Sequence, residues 1–286
     1  MATAALTLVA KPAAEPELLV QAHSDCEVER QRINVGGVLV DQVDLAGALD
    51  RVQGFLTNGR SNQVVTINLD FLSLAQTNQD FRQTLTEADL AVADGMPLVW
   101  LCRLYGTPLA ERVAGVDLFS ECCDLASAHG WSVFLLGAGP GIADQAALRL
   151  VERYPDLNVV GVYTPPLGPL GPEEDARMLE KIREAAPDFL FVALGAPRQD
   201  LWIREHLDEL HVPVSMGVGC VFDLLAGSVN RAPAWMQRAG LEWAFRLVQE
   251  PGRLWRRYLL NDLPMFVRLL LASRQPEAGT GLMATT

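Results

Sequence analysis

The feature that most constrains the fold is a regular alternation of apolar runs and amphipathic stretches along residues 33–218. Short apolar runs such as Leu90–Ala93 and Asn158–Tyr163 have the length and composition of buried strands. Between such runs lie stretches with apolar residues at helical spacing, for example 117–129, which ends at Gly130. Strands that alternate with helices predict an α/β fold, in which a mostly parallel sheet carries helices on both faces.

The same two patterns locate the other elements. Further strands are predicted at 33–40 (with a turn or bulge at Gly36-Gly37), 64–68, 131–136, 189–194 and 214–218. Further helices are predicted at 45–56, from about 71–74 onward, and at 80–87, 97–104, 142–154, 173–186 and 199–210. From Ala232 the pattern is helical throughout, and we expect Pro251 and Pro264 to divide it into short helices.

These patterns divide the chain into four parts. Residues 1–30 are rich in alanine and then polar, without a sustained period, which predicts a disordered segment. Residues 31–225 form the predicted catalytic domain, and residues 226–273 form a helical, arginine-rich C-terminal appendage. Residues 274–286 are predicted to be a disordered tail.

The distribution of charge restricts the partners. The formal net charge of −12 argues against general binding of nucleic acid. Residues 231–274, however, hold eight arginines, no lysine and three acids, which indicates a local anionic partner such as a diphosphate or a lipid surface. Because a guanidinium can bind phosphate in a bidentate manner, arginine without lysine favours recognition over a merely solvated face.

Cysteine content and hydropathy predict the compartment. The five cysteines are an odd number without zinc-binding or redox spacing, which favours a reducing, cytoplasmic location. The N-terminus shows no secretory signal pattern. No window of about 18 residues is free of charge, so no membrane-spanning helix is expected.

Polar side chains follow two predicted strands at the points where they end. Thr66 and Asn68 close one apolar run, and Asp94 closes the next. Because ligands collect at strand ends in open α/β sheets, these side chains can meet at one cleft, where an Asp can act as a general base. The alternative is local: Asp94 could cap the helix that begins near Pro97, and Thr66 and Asn68 could merely finish a strand.

Two glycine-containing loops also follow predicted strands. Gly137-Ala138-Gly139-Pro140-Gly141 leads into a helix, the right context for binding phosphate. It does not fit G-x-G-x-x-G, so a nucleotide-diphosphate loop is favoured over nicotinamide binding, and a tight structural turn is the alternative. In Gly195-Ala196-Pro197-Arg198-Gln199-Asp200, Gln199 is either a capping residue or an amide that reads uracil or sugar.

Several charged residues allow both a structural and a functional interpretation. Arg112 could form a surface ion pair and Asp117 could cap a helix, which are the structural interpretations of these two residues. Arg253, Arg256 and Arg257 recur at i, i+3 and i+4, so they share one helix face. The tryptophan and leucine residues between them could place that helix at a bilayer surface.

Taken together, the motifs resemble the WecG/TagA/CpsF family of bacterial glycosyltransferases (glycosyltransferase family 26), from about Ile33 to about Asp262. The residues that carry the resemblance are Thr66-x-Asn68, Ala93-Asp94-Gly95-Met96-Pro97, Arg112-Val113-x-Gly115-x-Asp117, the Gly137 loop, Gly195-x-Pro197-x-Gln199, Gly217-Val218-Gly219 with Phe222-Asp223, Arg231-Ala232-Pro233, and Gly240-Leu241-Glu242-Trp243 with Arg246, Pro251, Arg253 and Tyr258. One departure is Asp200, where Glu is common.

The resemblance implies a Rossmann-like core and an inverting, metal-independent transferase without a cofactor. It implies transfer from a UDP-sugar to an undecaprenyl-diphosphate-linked saccharide, in exopolysaccharide or cell-wall glycan synthesis. Asp94 matches the family's proposed base, with Thr66 and Asn68 beside it. The implied donor or nucleotide residues are Arg112, Asp117, Gly137, Gly139, Gly195 and Gln199. The implied lipid-diphosphate or membrane residues are Arg231, Arg246, Arg253, Arg256 and Arg257.

The implied location is the inner face of the plasma membrane, where a cytoplasmic enzyme would be peripherally attached. The candidate donors are UDP-glucose, UDP-N-acetylmannosamine and its uronate. Two alternatives from other classes stay open: an NAD-linked oxidoreductase, which the broken glycine fingerprint disfavours, and a non-catalytic membrane-associated scaffold. Apolar surface on the core is compatible with a homo-oligomer, a dimer or a trimer.

Overall fold

The structure, a computed structural model, describes residues 30–272, with the side chain of Arg253 excepted. The predicted disorder at 1–30 and 274–286 therefore lies, apart from Arg30, outside the described residues.

Six strands form one parallel sheet, which confirms the predicted fold class. Its strand order is β4-β3-β8-β7-β5-β6, and every neighbouring pair runs parallel. The strands are β3 (Asn62–Ile67), β4 (Leu90–Ala93), β5 (Ser132–Gly137), β6 (Asn158–Tyr163), β7 (Phe189–Ala193) and β8 (Val214–Gly217). The run predicted as a strand at 33–40 is instead an antiparallel hairpin of β1 (Arg32–Val35) and β2 (Val38–Asp41), turned by Gly36-Gly37.

Helices follow the strands, as the alternation predicts. Those of the sheet-forming part are α1 (Leu45–Phe55), α2 (Leu69–Thr77), α3 (Gln79–Glu87), α4 (Met96–Leu104), α5 (Gly115–His129), α6 (Ile142–Arg153), α7 (Pro172–Ala185), α8 (Arg198–Leu210) and α9 (Val221–Leu225). The C-terminal helices are α10 (Ala234–Arg238), α11 (Glu242–Gln249), α12 (Pro251–Arg256) and α13 (Leu263–Ala272), with a π-helical segment at Arg257–Asp262.

Alternate residues of each strand enter apolar layers on opposite faces of the sheet. Val64 packs with α1, α5, α6 and α9, whereas its neighbour Val65 packs with α2, α3 and α4. Phe191 likewise joins the first layer, and Val192 packs with α7 and α8. This period of two places the core on both sides of the sheet.

Asn68 differs from its predicted place in a strand. It is the N-cap of α2, and its side-chain oxygen Oδ1 accepts a hydrogen bond from the backbone N–H of Phe71 at 3.2 Å. An amide oxygen at this position satisfies a helix N–H that has no partner within the helix, so β3 ends at Ile67 and α2 begins at Leu69.

Pro251 begins a helix as predicted, but the prediction that Pro264 divides the helical region is wrong. The chain stays helical from Pro251 to Ala272, and Pro264 is the second residue of α13. The Leu263 N–H bonds the Tyr258 carbonyl five residues earlier, so the switch from π to α bonding comes just before the proline. Further along α13, Met265 and Leu269 are buried in the same apolar layer as the β1–β2 hairpin.

No helix among residues 30–272 is both long and apolar enough to cross a membrane.

Candidate active site

A cavity of about 680 Å³ opens where the central strands of the sheet end. Its walls come from the carboxyl ends of β3, β4, β7 and β8 and from the C-terminal helices. Its volume lies within the range that small-molecule sites occupy, and the outer carboxyl edge of a parallel sheet is where such sites form. The predicted site residues that line it are Thr66, Asn68, Asp94, Arg112, Gly195, Gln199, Arg231, Arg246 and Arg257.

Asp94 is the acid that follows β4, and its carboxylate does not cap α4. The N-cap of α4 is Gly95, which has a φ of +152° and no side chain to cap with. Asp94 is held by its backbone, whose N–H bonds the Ile67 carbonyl at 2.7 Å. The capping alternative is therefore not realised, and the carboxylate faces the cavity.

The surroundings of Asp94 make it a better base than an ordinary carboxylate. Burial raises its pKa from 3.8 to about 6. The Arg112 guanidinium lowers the pKa, the Glu242 carboxylate raises it, and the Gly115 N–H and Arg246 lower it further. A base with a pKa near neutral can accept a proton from a substrate and release it afterwards, which suits proton transfer near neutral pH.

Thr66, near the end of β3, and Asn68, the N-cap of α2, line the same cavity as Asp94. Thr66 lies opposite Val92 in the parallel register and is almost buried. A Cβ added to Gly115 would lie 3.2 Å from the Thr66 hydroxyl oxygen, so this glycine lets α5 begin close to β3. Because Asn68 Oδ1 is used to cap α2, the group that remains for a ligand is its amide nitrogen.

Gln199 joins the loops that follow β7 and β8. Its side-chain oxygen accepts hydrogen bonds from the backbone N–H groups of Gly195 at 3.2 Å and Gly219 at 3.1 Å. Gln199 is almost fully buried, so its amide oxygen shapes the cavity floor. A role in reading uracil or sugar stays a prediction.

The Gly137 loop makes a tight turn beside the cavity. Gly137 has a φ of +106°, and an added Cβ would come within 2.6 Å of the Ala193 carbonyl oxygen, so only glycine allows β5 and β7 to end this close together. Ala138 lines the cavity, but Gly137 and Gly139 do not.

An ionic cluster at the edge of the cavity consists of Arg112, Asp117, Arg231 and Glu242. Arg231 binds Asp117 in a bidentate manner, with N–O distances of 2.6 and 2.9 Å. Arg112 Nη1 donates to Glu242 Oε2 at 3.0 Å, and Arg231 Nε lies 3.7 Å from Glu242 Oε1. Asp117 thus contacts a residue 114 positions away and does not line the cavity.

The remaining arginines are placed differently from one another. Arg246 lines the cavity, and its Nη2 lies 3.0 Å from the Cys220 sulfur. Arg257 also lines it, with Nε 3.2 Å from Asp70 Oδ2 and 3.9 Å from Asp262 Oδ2. Arg256 does not line the cavity, and its guanidinium lies over the ring of Trp255. Arg253 has no described side chain, so its predicted role stays a prediction.

Several lining residues were not selected from the sequence as site residues: Asp70, Arg198, Asp223, Glu242, Tyr258 and Asp262. Most of them stand inside motifs that the resemblance quotes, such as Phe222-Asp223 and Gly240-Leu241-Glu242-Trp243. Asp262 carries no such signal: it is buried, and burial together with the neighbouring Asp70 raises its pKa to about 7. Among residues 30–272, no three His, Cys, Asp or Glu side chains are grouped to hold a metal ion.

The sequence profile of the glycosyl transferase WecG/TagA/CpsF family matches residues 33–279. The chain belongs to this family. This WecG/TagA/CpsF enzyme is therefore a glycosyltransferase, and membership in a family of transferases removes the support for a nicotinamide-linked oxidoreductase or a non-catalytic scaffold.

Curated relatives carry a more specific name. Two proteins of Staphylococcus aureus, from strains MW2 and NCTC 8325 / PS 47, are both named N-acetylglucosaminyldiphosphoundecaprenol N-acetyl-beta-D-mannosaminyltransferase. Each is 29% identical to the WecG/TagA/CpsF enzyme described here over 238 residues, which cover 82% of this chain and 91% of the relative.

Proposed function

We propose that this enzyme transfers a sugar from a UDP-sugar to an undecaprenyl-diphosphate-linked saccharide, with inversion at the anomeric carbon, in exopolysaccharide or cell-wall glycan synthesis. The observation that carries the proposal is Asp94, whose carboxylate follows a strand and does not cap α4. Its pKa is raised to about 6, and the cavity around it is lined by arginines. The relatives' name supports N-acetylmannosamine as the donor sugar and lipid-linked N-acetylglucosamine as the acceptor, ahead of glucose or the uronate.

In the proposed step, the acceptor hydroxyl oxygen attacks the anomeric carbon of the donor on the side opposite UDP. As the new carbon–oxygen bond forms, Asp94 takes the hydroxyl proton, and the bond from the anomeric carbon to UDP breaks. UDP leaves with the electron pair, so negative charge develops on its terminal phosphate. Arginine side chains at the cavity can stabilise that charge without any rearrangement at the moment of reaction.

The arginines on the C-terminal helices divide between two proposed tasks. Arg231, Arg246 and Arg257 stand on the cavity wall, where a diphosphate of donor or acceptor would lie. Arg253 and Arg256 belong to the part that would meet anionic headgroups. In this proposal, residues 31–225 form the catalytic domain, and residues 226–273 form the appendage that brings it to a lipid substrate.

A large apolar surface on the same helices supports attachment to the cytoplasmic face of the plasma membrane. Its exposed members are Trp235, Leu241, Trp243, Val248, Trp255, Leu259, Leu260, Leu263, Val267 and Leu271. Exposed apolar patches of this kind mark interaction sites, and tryptophan with arginine suits an interface between hydrocarbon and water.

Acceptor-dependent release of UDP tests the reaction. The donors would be UDP-glucose, UDP-N-acetylmannosamine and its uronate, each offered with a short-chain lipid diphosphate that carries N-acetylglucosamine. The proposal expects release from one donor only when the acceptor is present. No release from any donor, combined with no thermal protection by UDP, would contradict it, and protection by NAD instead would revive the oxidoreductase alternative.

Flotation with anionic vesicles tests the membrane surface. Val248 is 80% exposed on α11, so Val248→Asp should lower the bound fraction several-fold without loss of fold. Leu148→Asp is the matched control, because Leu148 is 49% exposed on α6, which belongs to the sheet-forming part. Equal binding of both variants and the unmodified chain would contradict the proposed surface.

A further inference from the structure

The loop before α11 lies directly on the segment that carries Asp94. Gly240 has a φ of +72°, and an added Cβ would lie 2.9 Å from the Met96 Cβ, in the first turn of α4. No larger residue fits there, so the backbone itself makes the contact. This contact brings Glu242, the first residue of α11, to the wall of the cavity that contains Asp94.

Glu242 contacts two arginines that come from different parts of the chain. Its Oε2 accepts a hydrogen bond from Arg112 Nη1 at 3.0 Å, and its Oε1 lies 3.7 Å from Arg231 Nε. Arg231 in turn binds both oxygens of Asp117, near the start of α5. The cluster contains two positive and two negative side chains. It connects the C-terminal part with α5 and with the loop that precedes α5.

This cluster is more enclosed than an ordinary surface pair. The side chains of Arg112 and Glu242 are 15% and 22% exposed, whereas those of the surface pair Arg149–Glu152 are 54% and 65% exposed. Exposed pairs contribute little because water screens them, but enclosed charges act strongly on one another and on neighbouring titratable groups.

We propose that Glu242 is a positioning residue for the transfer reaction: it fixes the Arg112 guanidinium at the cavity wall beside Asp94 and holds α11 against the start of α5 through Arg231. The inference rests on the proposed function, since it gives Glu242 a part in the reaction that Asp94 performs. Glu242 does not itself take the proton, because Asp94 stands at the strand end and Glu242 is already engaged by two cations.

The charged groups around Asp94 come from several elements. Arg112 comes from the loop before α5, Arg231 from the loop before α10, and Glu242 and Arg246 from α11. The Glu242 carboxylate raises the pKa of Asp94, while Arg112 and Arg246 lower it. Neutralising Glu242 therefore removes one influence that raises the pKa of Asp94, whereas the Arg112 and Arg246 cations that lower this pKa remain.

The test compares Glu242→Gln with Glu152→Gln, which removes a carboxylate from the exposed pair on α6. Carboxyl 13C NMR, with the Asp94 signal assigned from Asp94→Asn, measures the midpoint of Asp94 directly and needs no substrate. We expect Glu242→Gln to lower that midpoint by on the order of one unit. The acid limb of kcat/KM should move with it, and kcat should fall about ten-fold. Glu152→Gln should change none of these.

A second variant keeps the test decisive if Glu242→Gln folds poorly. Glu242→Asp retains the charge but shortens the side chain, so it should keep an Asp94 midpoint near that of the unmodified enzyme and lose less of kcat than Glu242→Gln. An Asp94 midpoint that is the same in Glu242→Gln as in the unmodified chain would overturn the proposal. An equal loss of kcat in Glu242→Gln and Glu242→Asp would also overturn it. If the unmodified chain transfers no sugar at all, the proposed function fails, and the NMR comparison still decides the part played by Glu242.

Discussion

The sheet and helices α10 and α11 are stabilised in different ways. The central strands are buried, and Phe191 packs with its ring centroid 4.5 Å from that of Phe119. Helices α10 and α11, in contrast, contain no buried residue and expose several large apolar side chains, and Glu242 of α11 forms an ion pair with Arg112. Packing therefore accounts for the stability of the sheet, whereas α11 contributes charged side chains that complete the cavity.

This contrast predicts two kinds of variant. Substitutions in the cavity should lower the rate and leave the free energy of unfolding nearly unchanged. Substitutions in the strands should lower the free energy of unfolding and leave the rate per folded molecule nearly unchanged.

The largest expected effect is that of Asp94→Asn. Removing the proposed base should lower the rate of acceptor-dependent UDP release by about a thousand-fold, within the range that general base catalysis supplies. The free energy of unfolding should stay the same or rise, because a neutral amide avoids the burial that raises the pKa of Asp94. Paired rate and thermal-denaturation measurements check both parts, and a variant that keeps a tenth of the rate would break the assignment.

Phe191→Ala probes the other side of the comparison. Phe191 is fully buried, so the lost packing should lower the free energy of unfolding by about 4 kcal/mol. The rate per folded molecule should change little, because Phe191 does not line the cavity. Urea denaturation and a rate normalised to folded protein are the measurements. A rate loss that exceeds the loss of folded protein would show that the two regions are coupled.

Arg246→Gln should slow the reaction, because Arg246 is proposed to stabilise the negative charge on the departing UDP. Arg246 stands on the cavity wall beside Cys220, and losing its charge should lower kcat/KM by about a hundred-fold. Arg149→Gln is the control, because Arg149 is an exposed arginine on α6. If the kcat/KM values of Arg246→Gln and Arg149→Gln are within a few-fold of each other, Arg246 does not take part in the reaction.

Asp200→Asn should give the smallest effect, and on stability alone. Asp200 is fully buried, and burial raises its pKa to about 7, although hydrogen bonds from the Gln199 side chain and the Asp200 backbone lower it. The folded chain keeps a proton that the unfolded chain loses near pH 4, so the free energy of unfolding should fall as the pH rises from about 4 to about 7. The variant should be more stable than the unmodified chain by on the order of 2 kcal/mol above that range.

Urea titrations at about pH 5 and about pH 8 check this prediction. The difference between variant and unmodified chain should grow with pH, and a difference that is the same at both values would contradict it.

Sequence patterns predicted the sheet well because its signals are local. Leu90–Ala93 and Asn158–Tyr163 are strands with the predicted bounds, since each is an apolar run closed by turn residues. Long-range partners carry no such signal, and nothing near Asp117 indicates that it binds Arg231. The continuous helix through Pro264 was missed for another reason, because a π-helical segment depends on packing that the sequence alone does not display.

The most direct test of the proposed chemistry is the pH dependence of kcat/KM for acceptor-dependent UDP release by the unmodified enzyme. Because Asp94 must be ionised to accept the hydroxyl proton, the account predicts a rate that falls below a midpoint of about 6, with a slope of one proton. A profile that stays flat through this range, or the same acid limb in the residual activity of Asp94→Asn, would contradict Asp94 as the base.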